Sequence, residues 1–185
     1  MRRLGQALGV EAMSLYNHIA SKQDVLDGLI DLVFGEIGLP GGGDWKAAMR
    51  QRAISAHQVL RSHRWAIGLM ESRAQPGTAN LRHHEAVLAC LRQAGFSVEA
   101  AGHAYSLLDS YIYGFTLNEQ SLPFESSQDI VELGTRYLRE LPVQQYPYLF
   151  EFLVKQAMQP GYSYTNEFEF GLDLILDGLE RTAVK

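Results

Sequence analysis

Apolar residues recur at helical spacing along nearly the whole of this chain. Between Leu26 and Ile37 they return every three or four positions while aspartates hold another face, which is the pattern of an amphipathic helix. No segment alternates convincingly between apolar and polar residues, as a half-buried strand would. The sequence therefore predicts an all-α protein.

Glycine, proline and capping residues divide the chain into helices. Pro40 and the three glycines after it form the best candidate for a domain boundary, which gives two domains, residues 1–39 and 44–185. Ser21, Asp44 and Ser97 are suited to cap the helices that follow them. Beyond the boundary we expect helices over residues 44–62, 63–73, 78–94, 97–120, 127–140, 143–158 and 165–182.

The composition favours a cytoplasmic protein with a large core. Hydrophobic residues make up 46% of the 185 residues. No stretch of about 18 apolar residues could cross a membrane, and the start does not resemble a signal peptide. The single cysteine, Cys90, lies in an apolar run and cannot form an intramolecular disulfide, so we expect a buried thiol in a reducing compartment.

Charge is distributed unevenly along the chain. The net charge is −5, which argues against a protein that coats nucleic acid. Arg2, Arg3 and Lys22 against Glu11 nevertheless give residues 1–23 a charge of +2, and the remainder carries −7. A small basic end on an acidic body fits a localised contact with phosphates.

The N-terminal segment predicts a pair of short helices. Leu4 and Leu8 are stacked one turn apart, as are Leu15 and Ile19, and Gly9 between them permits the left-handed backbone of a tight turn. Such a pair presents its second helix to the major groove of DNA. A polar helical hairpin with an ordinary glycine turn would show the same periodicity.

The assembled motifs resemble those of the tetracycline-repressor family. The likeness begins in the helical pair, extends over essentially the whole chain, and implies an all-α, homodimeric repressor of double-stranded operator DNA that a small-molecule effector releases. The matching segments are Leu8-Gly9-Val10-Glu11, Leu15-Tyr16-Asn17-His18, Lys22, Leu26-Asp27, Asp44-Trp45, Gln93-Ala94-Gly95-Phe96-Ser97, Phe170-Gly171-Leu172-Asp173-Leu174-Ile175 and Gly178-Leu179-Glu180.

The resemblance also assigns DNA contacts. The family positions correspond here to Arg2 on the first helix, to Ala12, Met13, Ser14, Tyr16 and His18 on the recognition helix, and to Lys22 at the start of the next helix. We expect Tyr16, His18 and Lys22 to position the phosphate backbone and the others to read bases. Because Ala12 and Met13 cannot make bidentate contacts to bases, the operator should differ from those of tetracycline-resistance repressors.

Members of that family have another helix before this motif. The present sequence starts inside the first helix of the motif, so the leucines of the pair would lack an apolar partner. At about 25 cal/mol per Å² of apolar surface, the local cost would be several kcal/mol. We therefore expect a first helix to be missing and DNA binding by this polypeptide to be weak.

Two helices of the second domain are suited to form a dimer. Both are apolar over a wide arc, which requires a core on one side and favours a partner on the other; purely internal helices are the alternative. The residues concerned are Tyr105, Leu107, Leu108, Tyr111, Ile112, Gly114, Phe115, Asn118 and Glu119 on one helix, and Phe168, Gly171, Leu172, Ile175, Leu176, Gly178 and Leu179 on the other.

A ligand pocket in the second domain is suggested by mixed aromatic and polar residues. The resemblance places Arg52, Ala56, Met70, His83 and Val87 at pocket-lining positions, and Tyr105 and Asp109 lie nearby in the pattern. Each of these residues would also be ordinary in a core or on a surface. Tetracycline repressors hold magnesium through a histidine that Met70 replaces here, and a thioether is a poor ligand for that ion. We therefore predict no metal, no cofactor, and an effector other than metal-chelated tetracycline.

Other functions find little support in the sequence. His83 and His84 are adjacent and diverge by about 100° on a helix, so they do not chelate together. The sequence contains no Glu-x-x-His pair, G-x-S-x-G, P-loop or H-E-x-x-H motif, so we do not expect an enzyme. A small-molecule-binding helical dimer that has lost DNA binding remains the alternative.

Overall fold

The computed structural model describes residues 1–70, 76–124 and 126–183, and the side chain of Ala12 lies outside this description. These residues form helices joined by turns and contain no strand, as the periodicity predicts. In chain order the helices are α1 (Arg2–Leu8), α2 (Ala12–Leu15), α3 (Lys22–Glu36), α4 (Trp45–Ser62), α5 (Ala66–Met70), α6 (Thr78–Gln93), α7 (Val98–Ser121), α8 (Ser127–Glu140), α9 (Pro147–Phe152) and α10 (Asn166–Glu180), with a π-helical turn (Leu153–Ala157) continuing α9.

The core is built around α4. Fully buried side chains of α4, such as Met49 and Leu60, join those of α7 and α10, represented by Leu108 and Phe168, in one apolar cluster. The second half of α3 and all of α6 pack against the same cluster. The helix that follows the N-terminal pair therefore belongs to the hydrophobic core of the body.

Opposite charges line the contact between α4 and α10. Arg50 lies 2.6 Å from Glu169 and 2.7 Å from Asp173, and Lys46 lies 2.7 Å from Asp177 and 2.8 Å from Glu180. Most of these side chains are largely exposed, so solvent and salt screen each pair and its contribution to stability is small. Their regular spacing fits the antiparallel arrangement of the two helices.

A close approach joins α7 to α10. A Cβ atom at Gly171 would lie 2.2 Å from the hydroxyl oxygen of Tyr111, so only glycine leaves room there. The Tyr111 hydroxyl donates to the carbonyl of Phe168 at 3.0 Å. Burial raises the pKa of this hydroxyl to about 12, which keeps it protonated as a donor.

Two predicted helices differ from the structure. The segment predicted as 143–158 becomes helical only at Pro147, because proline suits the first helical position, where no amide hydrogen is needed. Its second half widens into the π-helical turn. Of the helix predicted at 63–73, the structure shows α5, whereas residues 71–73 lie outside the described part. In the ranges that the structure covers, no helix combines the length and apolarity needed to cross a bilayer.

Candidate nucleic-acid interface and effector pocket

The first two helices form the predicted helix-turn-helix. Gly9 ends α1 with φ 67° and ψ 27°, the left-handed conformation that glycine adopts without strain. The amide of Val10 then donates to the carbonyl of Gly5 at 3.0 Å, which closes the end of α1. The turn therefore directs the chain from α1 into α2.

The second helix is shorter than predicted. α2 ends at Leu15, and the amides of Tyr16, Asn17 and His18 each donate to the carbonyl three residues earlier. The amide of Ile19 donates to the carbonyl of Leu15 at 3.2 Å, so these two residues remain one turn apart although the regular α-helix ends at Leu15. Tyr16 and His18 consequently lie in the turns after the recognition helix.

The described DNA-contact candidates are mostly accessible. Met13 is 74% exposed, Tyr16 is 44% exposed, and Arg2, His18 and Lys22 are also exposed. Ser14 is half-buried. Ala12 starts α2, but its side chain lies outside the described part of the chain.

A capping box starts α3 at the predicted position. The amide of Asp24 donates to Ser21 Oγ at 3.2 Å, and the amide of Ser21 donates to Asp24 Oδ2 at 3.0 Å. The hydrogen bond from the Ser21 hydroxyl holds the pKa of Asp24 below its ordinary value. Lys22 is thereby fixed as the first residue of a 15-residue helix.

Three polar residues meet inside the body. The Arg52 guanidinium donates from Nη2 to Asp109 Oδ1 at 2.6 Å and from Nε to His83 Nε2 at 3.2 Å. All three residues are buried. Burial and the nearby Arg52 charge lower the pKa of His83 to about 4, so the ring is neutral at physiological pH.

Tyrosines extend this buried polar cluster. The Tyr105 hydroxyl lies 2.6 Å from Nδ1 of His84, and the Tyr113 hydroxyl donates to Asp109 Oδ2 at 3.5 Å. Burial raises the pKa of Tyr105, so its hydroxyl stays protonated. The cluster thus connects α4, α6 and α7.

Two cavities lie at different places in the body. A cavity of about 220 Å³ adjoins the cluster and is lined by Asp27, Ile30, Met70, Pro76, Gly77, Asn80 and His84. A larger one of about 620 Å³ lies where α4 and α7 end, beside the loop 161–165 and the start of α8. The helices α3, α5 and α6 form walls of the smaller cavity, whereas none of them lines the larger cavity.

A second polar network borders the larger cavity. Glu119 accepts from Thr165 Oγ1 at 2.6 Å and lies 2.8 Å from His57 Nε2 and 3.3 Å from Arg61 Nε. The His57 ring stacks on Phe168 with 4.1 Å between ring centroids, and its burial lowers the pKa of the imidazole. Sequence reasoning had placed Glu119 only on a dimer stripe, and no local pattern connects it to these partners.

A family profile described as "Tetracyclin repressor-like, C-terminal domain" matches residues 37–183. The chain belongs to the tetracycline-repressor family. An HTH-type transcriptional regulator of Saccharopolyspora erythraea is 40% identical over 119 residues, which are 62% of this chain and 49% of the relative. The HTH-type transcriptional repressor DrrR1 of Streptomyces coeruleorubidus is 28% identical over 97% of this chain and 69% of its own length. The matched segment thus spans about half the length of the first of these two relatives.

A solved structure supports the same assignment. The TetR family protein ActR of Streptomyces coelicolor, in complex with actinorhodin, superposes with a TM-score of 0.78 and 25% identity, covering 100% of this chain and 88% of ActR. The all-α fold of this tetracycline-repressor family member is therefore established. The family is one of transcriptional regulators rather than enzymes.

The predicted ligand residues of this family member fall into three groups. Arg52 contacts both His83 and Asp109, and Tyr105 reaches His84, the neighbour of His83. Met70 lines the smaller cavity. Ala56 and Val87 belong to the apolar core. Within the described ranges, no group of three or more metal-binding side chains could hold an ion.

Proposed function

We propose that this protein is a homodimeric, cytoplasmic transcriptional repressor that leaves its operator when a small-molecule effector binds. One observation carries the proposal: α3 begins with Lys22 beside the helix-turn-helix and, one to two turns later, supplies Asp27 and Ile30 to the wall of the smaller cavity. A single helix, α3, therefore joins the helix-turn-helix to the candidate ligand site. We assign residues 1–39 to the DNA-binding domain and 44–185 to the effector and dimerisation domain.

DNA recognition is proposed to rest on α1, α2 and the turn that follows. Met13 projects an apolar side chain suited to a thymine methyl group, and Ser14 can reach a base edge, with Ala12 and Arg2 beside them in the motif. Tyr16, His18 and Lys22 can donate to phosphates. Without an amide or arginine on α2, the operator differs from those of the tetracycline-resistance repressors.

Dimerisation is proposed to use a joint face of α7 and α10. Phe170 is 65% exposed and Leu174 is 58% exposed on α10, and Leu107 and Leu117 are exposed on α7. Tyr111 joins these two helices, and we assign the exposed residues to the joint face. Two such surfaces related by a two-fold axis would make a four-helix interface and would match a palindromic operator.

Effector binding is proposed at the buried polar cluster and the smaller cavity. The structure of ActR, which has the same fold, was solved in complex with actinorhodin. Here Arg52, His83, Tyr105 and Asp109 would supply polar contacts and Met70 an apolar contact, whereas Ala56 and Val87 lie in the core and do not line the cavity. A ligand that enters between Ile30 and Met70 would separate α3 from α5 and α6. Because α3 follows the helix-turn-helix, this movement would displace the DNA-binding helices. Met70 disfavours magnesium, so we propose a metal-free effector.

A binding titration on the intergenic DNA upstream of the protein's own gene tests the proposal. The wild type should form a specific complex whose affinity falls steeply with salt, and Lys22→Ala should reduce the salt slope by about 1 without changing sequence preference. Lys155→Ala, a distant exposed lysine on the π-helical turn, is the matched control. A protein that dimerises but gives no salt-sensitive complex would instead match the alternative, a ligand-binding dimer that does not bind DNA.

A further inference from the structure

The lining of the larger cavity is predominantly polar. Its volume of about 620 Å³ lies within the range of small-molecule sites, about 300–1,000 Å³. Such sites are usually lined mainly by apolar side chains, whereas ten of the 14 described residues around this cavity carry a polar group. An apolar occupant would leave these groups without partners, so the lining favours a ligand that is itself hydrophilic.

Two arginines make the larger cavity cationic. Arg61 lies in the last turn of α4 and Arg64 in the turn that follows, and Glu119 is the acidic residue among the described residues of the lining. Both oxygens of Glu119 are engaged, because Oε1 accepts from Thr165 at 2.6 Å and Oε2 lies 2.8 Å from His57 Nε2. Two arginines against one glutamate give the described lining a charge of +1 in a protein whose net charge is −5, which favours an anion.

Most of the Arg61 guanidinium is available to a ligand. Its Nε lies 3.3 Å from Glu119 Oε2, and within the described ranges its side chain makes no other hydrogen bond or ion pair. The side chain is 49% exposed at the cavity. Its two terminal nitrogens form the planar fork that binds pairs of phosphate or carboxylate oxygens. Arg64 is held beside the same cavity, because its Nη2 donates to the carbonyl of Gln120 at the end of α7.

Hydroxyl groups make up much of the remaining lining. A hydroxyl both donates and accepts, so a set of them matches a ligand that carries several hydroxyl groups of its own. The Tyr164 ring is fixed by stacking on Phe115, with 5.1 Å between ring centroids, so this wall of the cavity is already formed. The hydroxyl groups belong to Ser126, Ser127, Tyr162, Ser163, Tyr164 and Thr165.

We propose that the larger cavity binds an organic phosphate that carries several hydroxyl groups, at a site separate from the effector cavity. The phosphate binds the terminal nitrogens of Arg61 beside Arg64, and the hydroxyl groups of the ligand bind the serine and tyrosine hydroxyls. Two guanidinium groups suit the double charge of a phosphate monoester better than the single charge of a carboxylate. Because Glu119 already contacts Arg61, the phosphate competes with this carboxylate for the guanidinium.

Calorimetric titration of the DNA-free protein with glucose 6-phosphate tests the site. Glucose lacks the phosphate and inorganic phosphate lacks the hydroxyl groups, so each should bind at least tenfold more weakly than glucose 6-phosphate. Arg61→Gln should weaken glucose 6-phosphate about tenfold or more. Glu119→Gln removes the competing charge but keeps an acceptor for Thr165, so it should tighten binding about threefold. Loss of the fold could not produce shifts in opposite directions.

Arg136→Gln is the matched control, because Arg136 is an exposed arginine of α8 outside the lining of the cavity. Its affinity for glucose 6-phosphate should equal that of the wild type. The proposal is overturned if the wild type does not bind glucose 6-phosphate, if glucose or inorganic phosphate binds equally well, or if Arg61→Gln has no larger effect than Arg136→Gln. Weaker binding by Glu119→Gln would refute the competition for Arg61. Because neither DNA nor effector is present, a failure of operator binding leaves this result intact.

Discussion

Two buried histidines, His57 and His83, set how the free energy of unfolding should depend on pH. In the unfolded chain both rings have a pKa near 6.5, whereas burial lowers the pKa of His57 and takes that of His83 to about 4. The charge of Arg52 and the neighbouring His84 also disfavour the charged form of His83, and Asp109 acts in the opposite direction. Below pH 6.5 the unfolded state therefore binds protons that the folded state does not.

We predict that the free energy of unfolding falls as the pH drops from 6.5 toward about 4. His83 alone contributes on the order of 3 kcal/mol across that window. Urea denaturation at about pH 7 and pH 5 measures the change. His83→Gln should lose much less stability than the wild type over this interval, and His103→Gln, whose parent side chain is 77% exposed, should behave like the wild type. Equal slopes in all three proteins would contradict the prediction.

Individual residues of the candidate site show what could not be predicted from the sequence alone. The resemblance suggested Arg52 and His83, and the mixed pattern suggested Asp109, but the hydrogen bonds that Arg52 makes to both depend on how three helices pack. Asn80 was missed because an asparagine in the first turn of a helix is ordinary. Glu119 was assigned only to a dimer stripe because its partners, His57 and Thr165, are 62 and 46 positions away along the chain.

At the level of helices, Asp31 joins α3 to α6. Its Oδ1 accepts from the amides of Ala79 and Asn80 at 2.8 and 3.0 Å, so a residue of α3 caps the N-terminus of α6. A Cβ at Gly77 would lie 2.3 Å from Asp31 Cγ, so the cap requires glycine at that position. This contact fixes the distance between α3, which follows the helix-turn-helix, and α6, which carries His83 of the polar cluster.

We predict that Asp31→Ala lowers stability by about 1 kcal/mol, the usual cost of a lost cap, and lowers Tm by about 2–4 °C. Gly77→Ala should have a similar effect because it displaces the same carboxylate. Asp31→Asn, which retains an acceptor oxygen, should lose less. Calorimetric melting of the three variants measures this, and an unchanged Tm in Asp31→Ala would show that the cap is not needed.

The helix boundaries predicted from the sequence agree closely with those of the structure where capping residues mark the start of a helix. The bounds of α3, α4, α7 and α8 agree with serine or aspartate caps that are visible in the chain. The short α2 and the late start of α9 were not anticipated. Apolar spacing cannot distinguish an α-helix from tight three-residue turns over so few positions, and the π-helical turn leaves no mark in the sequence.

At the level of the whole molecule, the exposed face of α7 and α10 predicts the oligomeric state. A carboxylate placed at Leu174 would be desolvated in the proposed interface, so Leu174→Glu should convert the dimer to a monomer at micromolar concentration. Sedimentation velocity measures the change.

Leu81→Glu is the control for Leu174→Glu. Leu81 is 56% exposed but lies on α6, away from that face. The Leu81→Glu substitution should leave the dimer intact. A wild-type monomer, or a dimer that tolerates Leu174→Glu, would refute this interface.

The opposite charges between α4 and α10 are spaced so that several of them would still pair if the two helices were aligned differently. The carboxylates of Glu169, Asp173 and Asp177 repeat every four residues, so if α10 moved by one turn, Arg50 would meet Asp173 and Asp177 and keep two partners. Electrostatics alone therefore discriminate poorly between neighbouring alignments of these helices. The discrimination comes from shape: Gly171 is the place on α10 where the Tyr111 ring can fit, and a one-turn slip would replace it with Ile175. Gly171 therefore selects the alignment of α10, whereas the charged pairs strengthen the contact between α4 and α10 without selecting its register.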